Sequence, residues 1–422
     1  MLLIVLLLLA GSLAIMAGIM ATVKSQVRVV NELVFAKSAY HAAEGVLEET
    51  VYRYMNNMSV LLNETATLGG VTITTVTEDV SGGISVTSTG NELSRVRSVQ
   101  AILVEGHGAS FNFGVQTDVG GIIMENSSSI DGNAFSNGTI VGHNKNRVKG
   151  TAISAGPDGL IEEVRTDADA YAHEISDSTI HGNAYFDILS GTVVIDGSTS
   201  TLPTIATSSL PIPDEVLDQW QAFAASSSVM TQACIDGGGT VTFDGNHNHY
   251  TLGPVKIPCN VRFRQNPTVT IAGVIWVEGN LEFDNGPKFL IHPDIGNRSV
   301  PIIVDNPANR TTSSMIDMSN SGLWTGNGNR SYIMLISRNE SASNGGTVPA
   351  IRMTQTNGGS LLVYAGHGEI LLRNLVKLTQ ITAHRVRLQQ SAEIIYDTGL
   401  ASALFTIGPG GGYTIDSWRE VE

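Results

Sequence analysis

The opening of this chain sets the strongest limit on its architecture: from Met1 to Val23 no charged side chain occurs, and the run is built of Leu, Ile, Val, Ala, Gly and Met with few others. A helix of that length reaches across the hydrocarbon core of a bilayer. A cleaved secretory signal is the competing reading, but no basic segment precedes the run and the helical period continues past it. Val29, Leu33, Ala36, Tyr40, Ala43, Leu47, Val51, Tyr54, Met58 and Leu61 recur at alternating spacings of three and four, a single apolar stripe. The first proline is Pro157, so nothing local stops the helix. Continuous to Asn57, it would be about 85 Å long. Such a rod cannot fold back into one small core, so its outer half is expected to lie on its own domain or on neighbouring copies. Ala10, Ala14 and Gly18 fall on one face of the span, where small residues let helix backbones approach closely in lipid. Leu2, Ala10, Ala14, Gly18, Val29, Leu33, Tyr40, Glu44 and Leu47 are therefore the candidate membrane and assembly positions.

Charge is unevenly placed. Residues 1–60 carry four basic groups (Lys24, Arg28, Lys37, Arg53) and four acidic ones (Glu32, Glu44, Glu48, Glu49), so the formal net charge of −15 belongs to the rest. An acidic body of this kind argues against wrapping nucleic acid, which requires Lys and Arg facing phosphate. Lys24 and Arg28 follow the span with nothing basic before it, which conflicts with a body outside the cell. A short basic leader, removed by a peptidase, would resolve the conflict.

The stretch Ser38-Ala39-Tyr40-His41-Ala42-Ala43-Glu44-Gly45-Val46-Leu47-Glu48, followed by Val51-Tyr52-Arg53, carries a resemblance. The layout resembles type IV pilin-like proteins, especially the minor pilins whose helix runs into such a segment. Strand-like runs follow at Val71–Val76, Ile84–Gly90 and Arg95–Leu103. The similarity covers about the first hundred residues. One departure is plain: major pilins carry a glutamate near the mature N-terminus that pairs with a neighbour's amine. Here position 5 is Val5, and no acid occurs before Glu32. The resemblance thus implies a minor, tip or atypical subunit, partnered by other copies or other pilins through the helix, held in the inner membrane before assembly.

From about Gly120 the pattern becomes short β runs punctuated by Gly and Asn. Ser129-Ile130-Asp131-Gly132-Asn133-Ala134-Phe135 is echoed by Thr179-Ile180-His181-Gly182-Asn183-Ala184-Tyr185, and more loosely by the run from Thr270 to Leu281. Such repetition predicts stacked rungs, and the rung pattern resembles the right-handed β-helices of pectate lyases and bactofilins. The fold class expected is mainly β with a long N-terminal α-helix: a pilin-like α+β stem followed by a right-handed parallel β-helix. The domains expected are a helix over 1–60, a small β segment over 61–118, a β-helix body over 119–397 and a C-terminal cap over 398–422. A pair of β-sandwiches is the alternative. Between Leu202 and Cys259 the repeat lapses. Asp214–Ala224 reads as a short amphipathic helix with an acidic first turn, within an insertion over 203–260 stapled by a Cys234–Cys259 disulfide, since these are the two cysteines of a chain placed outside the cytosol.

No catalytic, cofactor or metal site stands out. Gly106-His107-Gly108 and Gly366-His367-Gly368 resemble the Gly-His-Gly of polygalacturonases, but the chain has no Asp-Asp pair and no Asn-x-Asp to supply the two carboxylates glycoside hydrolysis needs. Asp244-Gly245-Asn246-His247-Asn248-His249 reads as a polar turn before it reads as a metal site. Eight Asn-x-Ser/Thr sequons, from Asn57 to Asn339, fit an extracellular surface and glycosylation. The expected function is non-enzymatic: a type IV pilin-like filament subunit or pilus-associated adhesin at the cell surface, displaying a β-helix towards surface glycans or a host receptor. The alternative is a membrane-tethered carbohydrate-binding or carbohydrate-active protein, and a cytoplasmic bactofilin-like polymer is a third reading.

Overall fold

The computed structural model describes residues 2–421 except 56–59, 81–82, 106–107, 110–112, 202–203, 246–247, 320–321, 329–330, 355–358, 397–402 and 405–412. The chain divides into two compact units, a stem formed by 1–106 with 410–422 and a body formed by 107–409.

In the stem, α1 (Leu2–Met55) runs unbroken, as the missing proline predicts. It precedes four antiparallel strands, β1 (Asn63–Leu68), β2 (Val71–Val80), β3 (Gly83–Glu92) and β4 (Arg95–Glu105). A fifth strand comes from the far end of the chain: Tyr413–Val421 pairs antiparallel with β4, Tyr413 opposite Glu105. The tail expected to cap the body therefore completes the stem sheet. The strand it joins is already alternating, with Val99, Ala101 and Leu103 buried beneath α1, and its free edge takes a further strand. Consequently the whole body is an insertion between two neighbouring strands.

Helix and sheet meet through small side chains. Ala39, Ala42, Ala43, Leu47 and Val51 are buried on one face of α1 and pack on Val71, Ile73, Val86, Val99 and Leu103. Ala43, Leu47 and Val51 belong to the stripe read from the sequence, and Ala39 and Ala42 widen the buried face beside it.

In the body, strands pair in parallel with the strand one circuit earlier and one circuit later. Ser129–Asp131, Arg147–Val148, Arg165–Thr166, Thr179–Ile180 and Val194–Ile195 make one ladder. Ala134–Ser136, Ala152–Ser154, Ala170–Tyr171, Ala184–Phe186 and Thr199–Thr201 make a second. Ile140–His143, Leu160–Glu162, Glu174–Ser176 and Ile188–Ser190 make a third. The chain visits the three in a fixed order, so like side chains fall in columns: Ala134, Ala152, Ala170 and Ala184 are all fully buried, as are Ile130, Val148, Thr166 and Ile180. Asn126–Ser127 and Asn144–Lys145 turn the chain with positive φ, a conformation Asn tolerates better than most residues.

A second arm, from Thr240 onward, stacks in the same way: Asn260–Arg264 on Thr240–Asp244, Thr268–Ile271 on His249–Leu252, Ile275–Val277 on Val255–Ile257. Its core is aromatic, with Phe243, Phe263 and Phe283 in a stacked column at 5.0 and 5.6 Å and Phe289 stacked on Trp324 at 4.5 Å. The repeat therefore resumes inside the segment expected to be an insertion, whose irregular part ends at Gly239. The arms meet where Ile381–Leu388 pairs with Val115–Glu125 and Glu393–Ile395 pairs with Ser129–Asp131. The first arm leads from that level to an end rung at Thr199–Thr201. The chain then returns along the flank and begins the second arm at the opposite end. The mainly β class, the long N-terminal helix and the parallel sheets are as the sequence leads one to expect.

Candidate functional site

The helix outside the stem sheet is the most exposed apolar surface among the described residues. Met16, Ile19, Met20, Val23, Val27, Val29, Val30, Leu33 and Val34 are all at least half exposed, Leu33 at 67% and Met20 at 72%. Of the positions expected to take part in assembly, Gly18, Val29 and Leu33 lie on this open stretch, Tyr40 and Glu44 are half-buried, and Leu47 is buried against the stem sheet. Helical backbone runs through Leu2, Ala10 and Ala14, but their side chains lie outside the described residues. A Cβ on Gly18 or Gly45 would meet nothing within 4 Å, so both leave the helix open to a close neighbour. Among the described residues no helix is long and apolar enough to cross a membrane. The anchor expected over Met1–Val23 falls largely outside them and gains no support here.

Two of the charges on the open stretch, Arg28 and Glu32, are tied down locally. Arg28 Nε donates to Glu32 Oε1 at 3.1 Å, and Arg95 of β4 reaches the same oxygen at 2.8 Å. The Arg28 hydrogen bond, with the Arg95 charge beside it, holds the Glu32 carboxyl below the usual carboxylate range. Two arginines share this one carboxylate, so the exposed apolar stretch keeps a small positive charge, and Arg95 ties the helix to its sheet.

On the flank of the body, α2 (Asp214–Ser227) buries Leu217, Trp220 and Ala224 against Ile303, Met334, Ile336 and Leu362. Beneath it lies a polar network. The fully buried Asp305 accepts two bonds from Arg310, at 2.8 and 2.9 Å, and one from Gln221 Nε2 at 2.9 Å. Arg338, also buried, donates to Gln221 Oε1 at 2.7 Å and to Asp218. The Asp305 hydrogen bonds raise the Arg310 guanidinium further above its ordinary value against the cost of burial. His367, of Gly366-His367-Gly368, sits 2.8 Å from Asp214, while burial pushes the neighbouring Tyr364 phenol up, helped by the Asp214 charge. Asp305 and Asp218 thus face arginines, and Asp214 lies beside both His367 and Arg338. No group of three or more His, Cys, Asp or Glu among the described residues could hold a metal ion. Gly106 and His107 of the other Gly-His-Gly, and His247, lie outside the described residues.

α3 (Thr231–Asp236) follows, and Cys234 is bonded to Cys259 as expected. Among the sequons, Asn63, Asn126, Asn297 and Asn309 are exposed, Asn137 is half-buried, and Asn57 and Asn329 lie outside the described residues. Asn339 is fully buried, donating to the Ser313 carbonyl at 2.6 Å, so that sequon is closed to glycosylation. A sequence motif does not report burial.

No family model and no curated protein sequence matches this chain. Among solved structures, the competence-associated pilin ComZ from Thermus thermophilus is similar at 11% identity and a TM-score of 0.27, covering 92% of this chain and 97% of that one. A likeness of that size does not by itself establish a common fold or a common role.

Proposed function

We propose that this chain is a type IV pilin-like subunit that is held in a membrane by α1, assembles beside other pilins through the same helix, and carries a right-handed parallel β-helix for surface contact. The observation that supports it is the division of labour along one unbroken helix. One face of Ala39–Val51 is buried on an antiparallel sheet, whereas Met16–Val34 carries apolar side chains that are at least half exposed. Exposed apolar surface of that extent marks an interaction site, and a helix presents it to other helices. The right-handed winding follows from the near-universal handedness of parallel crossovers.

The body is the part offered to glycans or receptors outside the cell, and its role is binding rather than catalysis: the one described Gly-His-Gly histidine is paired with Asp214, and the nearby carboxylates face arginines. A photo-crosslinking amino acid at Leu33 of the full chain in its native membrane should capture pilin helices, and one at Leu47 should not. Equal capture at both positions, or none at Leu33, would reject the helix as the assembly element.

A further inference from the structure

The two ends of the body are finished differently. At the second-arm end, the rung made by Thr240–Asp244, His249–Leu252 and Val255–Ile257 is covered. Met230, Ala233 and Cys234 of the α3 region pack on its core, Val229 bridges to Lys256, and the Cys234–Cys259 disulfide fixes the cover in place. At the first-arm end the last rung has no such cover among the described residues. Ile188–Ser190 pairs only with Glu174–Ser176, Val194–Ile195 only with Thr179–Ile180, and Thr199–Thr201 only with Ala184–Phe186. Three strand edges therefore present unpaired backbone at one level.

Side-chain burial changes at the same level. One rung inward, Ile175, Ile180 and Ala184 are fully buried; their column partners Leu189 and Thr199 are exposed, and Ile195 is half exposed. Ile188 and Val194 add outward apolar surface at 43% and 49% exposure. Soluble proteins guard such edges with lysine, proline or an inward charge. None of the three end strands holds a charged residue or a proline. The two acids in the connecting turns are each beside a histidine, Asp196 at 2.5 Å from His181 and Asp187 at 3.8 Å from His173.

We propose that this open rung seats the same rung of a second copy of the chain, closing a two-fold dimer of bodies end to end. The occupant follows from the asymmetry. The opposite end is closed by α3, so a head-to-tail stack is blocked and a second copy can offer only its own open end. Two rungs brought together about a two-fold axis across the stacking direction run antiparallel to one another. One strand then meets its own copy and the other two exchange partners, so all three edges are paired at once. A face with roughly five residues a side at about 3.3 Å each, enlarged by side chains, buries on the order of 600 Å² per copy, near the low end of the stable range of about 800 Å² per partner. This contact is separate from helix-mediated assembly and brings together bodies, not stems.

The test uses the full chain in detergent, whose two native cysteines are joined to each other, so that an introduced cysteine is the one reactive thiol. A spin label at Ser200→Cys should give a distance between copies below about 30 Å, since paired strands lie about 4.8 Å apart. A label at Thr242→Cys, on the closed end, should give no distance in that range. Adding Val194→Lys to Ser200→Cys should abolish the short distance with circular dichroism unchanged. Absence of the short distance, its persistence with Val194→Lys, or a short distance at Thr242 would each overturn the proposal. Copies joined through α1 alone give the first of these outcomes, which separates failure here from failure of helix assembly.

Discussion

A Cβ placed on Gly90 would stand 2.2 Å from the carbonyl oxygen of Ala39, so the backbone of α1 touches the backbone of β3 with nothing between them. No real side chain tolerates that approach. Gly90→Ala should push the helix off its sheet and destabilise the stem by about 1–3 kcal/mol, the range for overpacking a close contact. Hydrogen exchange is the readout: amides of Ala39–Val51 should lose protection, and those of the body should keep theirs. Unchanged protection over Ala39–Val51 would contradict the contact.

Arg310, itself half-buried, pairs with the fully buried Asp305. Arg310→Leu leaves the Asp305 carboxylate buried with only Gln221 and the more distant Arg338, and should cost about 3–5 kcal/mol in denaturant unfolding of the body. Because the Arg310 pKa is raised, its contribution is present below the unfolded arginine value and lost only in strongly alkaline solution. The penalty should accordingly be the same at pH 6 and pH 9.

Asp167 behaves differently. Burial raises its pKa, but hydrogen bonds and charge from Arg147, then Arg165, outweigh that and hold the carboxyl below the usual range. A depressed pKa contributes stability above the unfolded value and loses it as pH falls. Asp167→Asn should be less stable than the parent at pH 7, and the gap should close on acidification below about pH 4. A gap independent of pH would show that the arginines do not act through this charge.

The cover on the closed end depends on its crosslink. Replacing Cys234 and Cys259 by serine reopens a loop with a sequence separation of 25 and should cost about 3 kcal/mol by chain entropy. Loss of protection should begin in Thr231–Asp236 and the Thr240–Asp244 strand beneath it, which a urea series of hydrogen-exchange measurements would show.

The flanking segment between the arms can be cut without parting them. Its carbonyls bond to Gly156 from Ile205, to Asn137 from Ser208 and to Gln116 from Ser209, but the arms themselves are joined by the long ladder between Ile381–Leu388 and Val115–Glu125. A protease site introduced at Thr207 should yield two fragments that co-elute until denaturant is added.

What could be read in advance was local. The stripe from Val29 to Tyr54 gives α1 because side-chain spacing is written in the order of residues, but only Ala43, Leu47 and Val51 of it are buried, while Val29 and Leu33 stay exposed. The echo between Ser129–Phe135 and Thr179–Tyr185 reflects real equivalence: Ser129 and Thr179 lie in one ladder, Ala134 and Ala184 in the next. Asp214–Ala224 gives α2 from its acidic first turn and amphipathic spacing. What stayed hidden was long-range. Tyr413–Val421 is a short alternating strand with no mark that its partner lies three hundred residues earlier. The meeting of the two arms is equally silent, since Ile381–Leu388 reads as one more rung whichever neighbour it takes. Arg310 and Arg338 gave no signal either, because nothing in their sequence neighbours shows that Asp305 and α2 lie against them.

If α1 builds this chain into a filament, the chain must leave the cell with the filament when it is sheared off. Filaments sheared from cells and washed free of membrane should contain the full chain, and a Leu33→Glu variant should stay in the membrane fraction at unchanged total level. Absence of the parent chain from sheared filaments, with complete retention in membranes, would contradict assembly through α1.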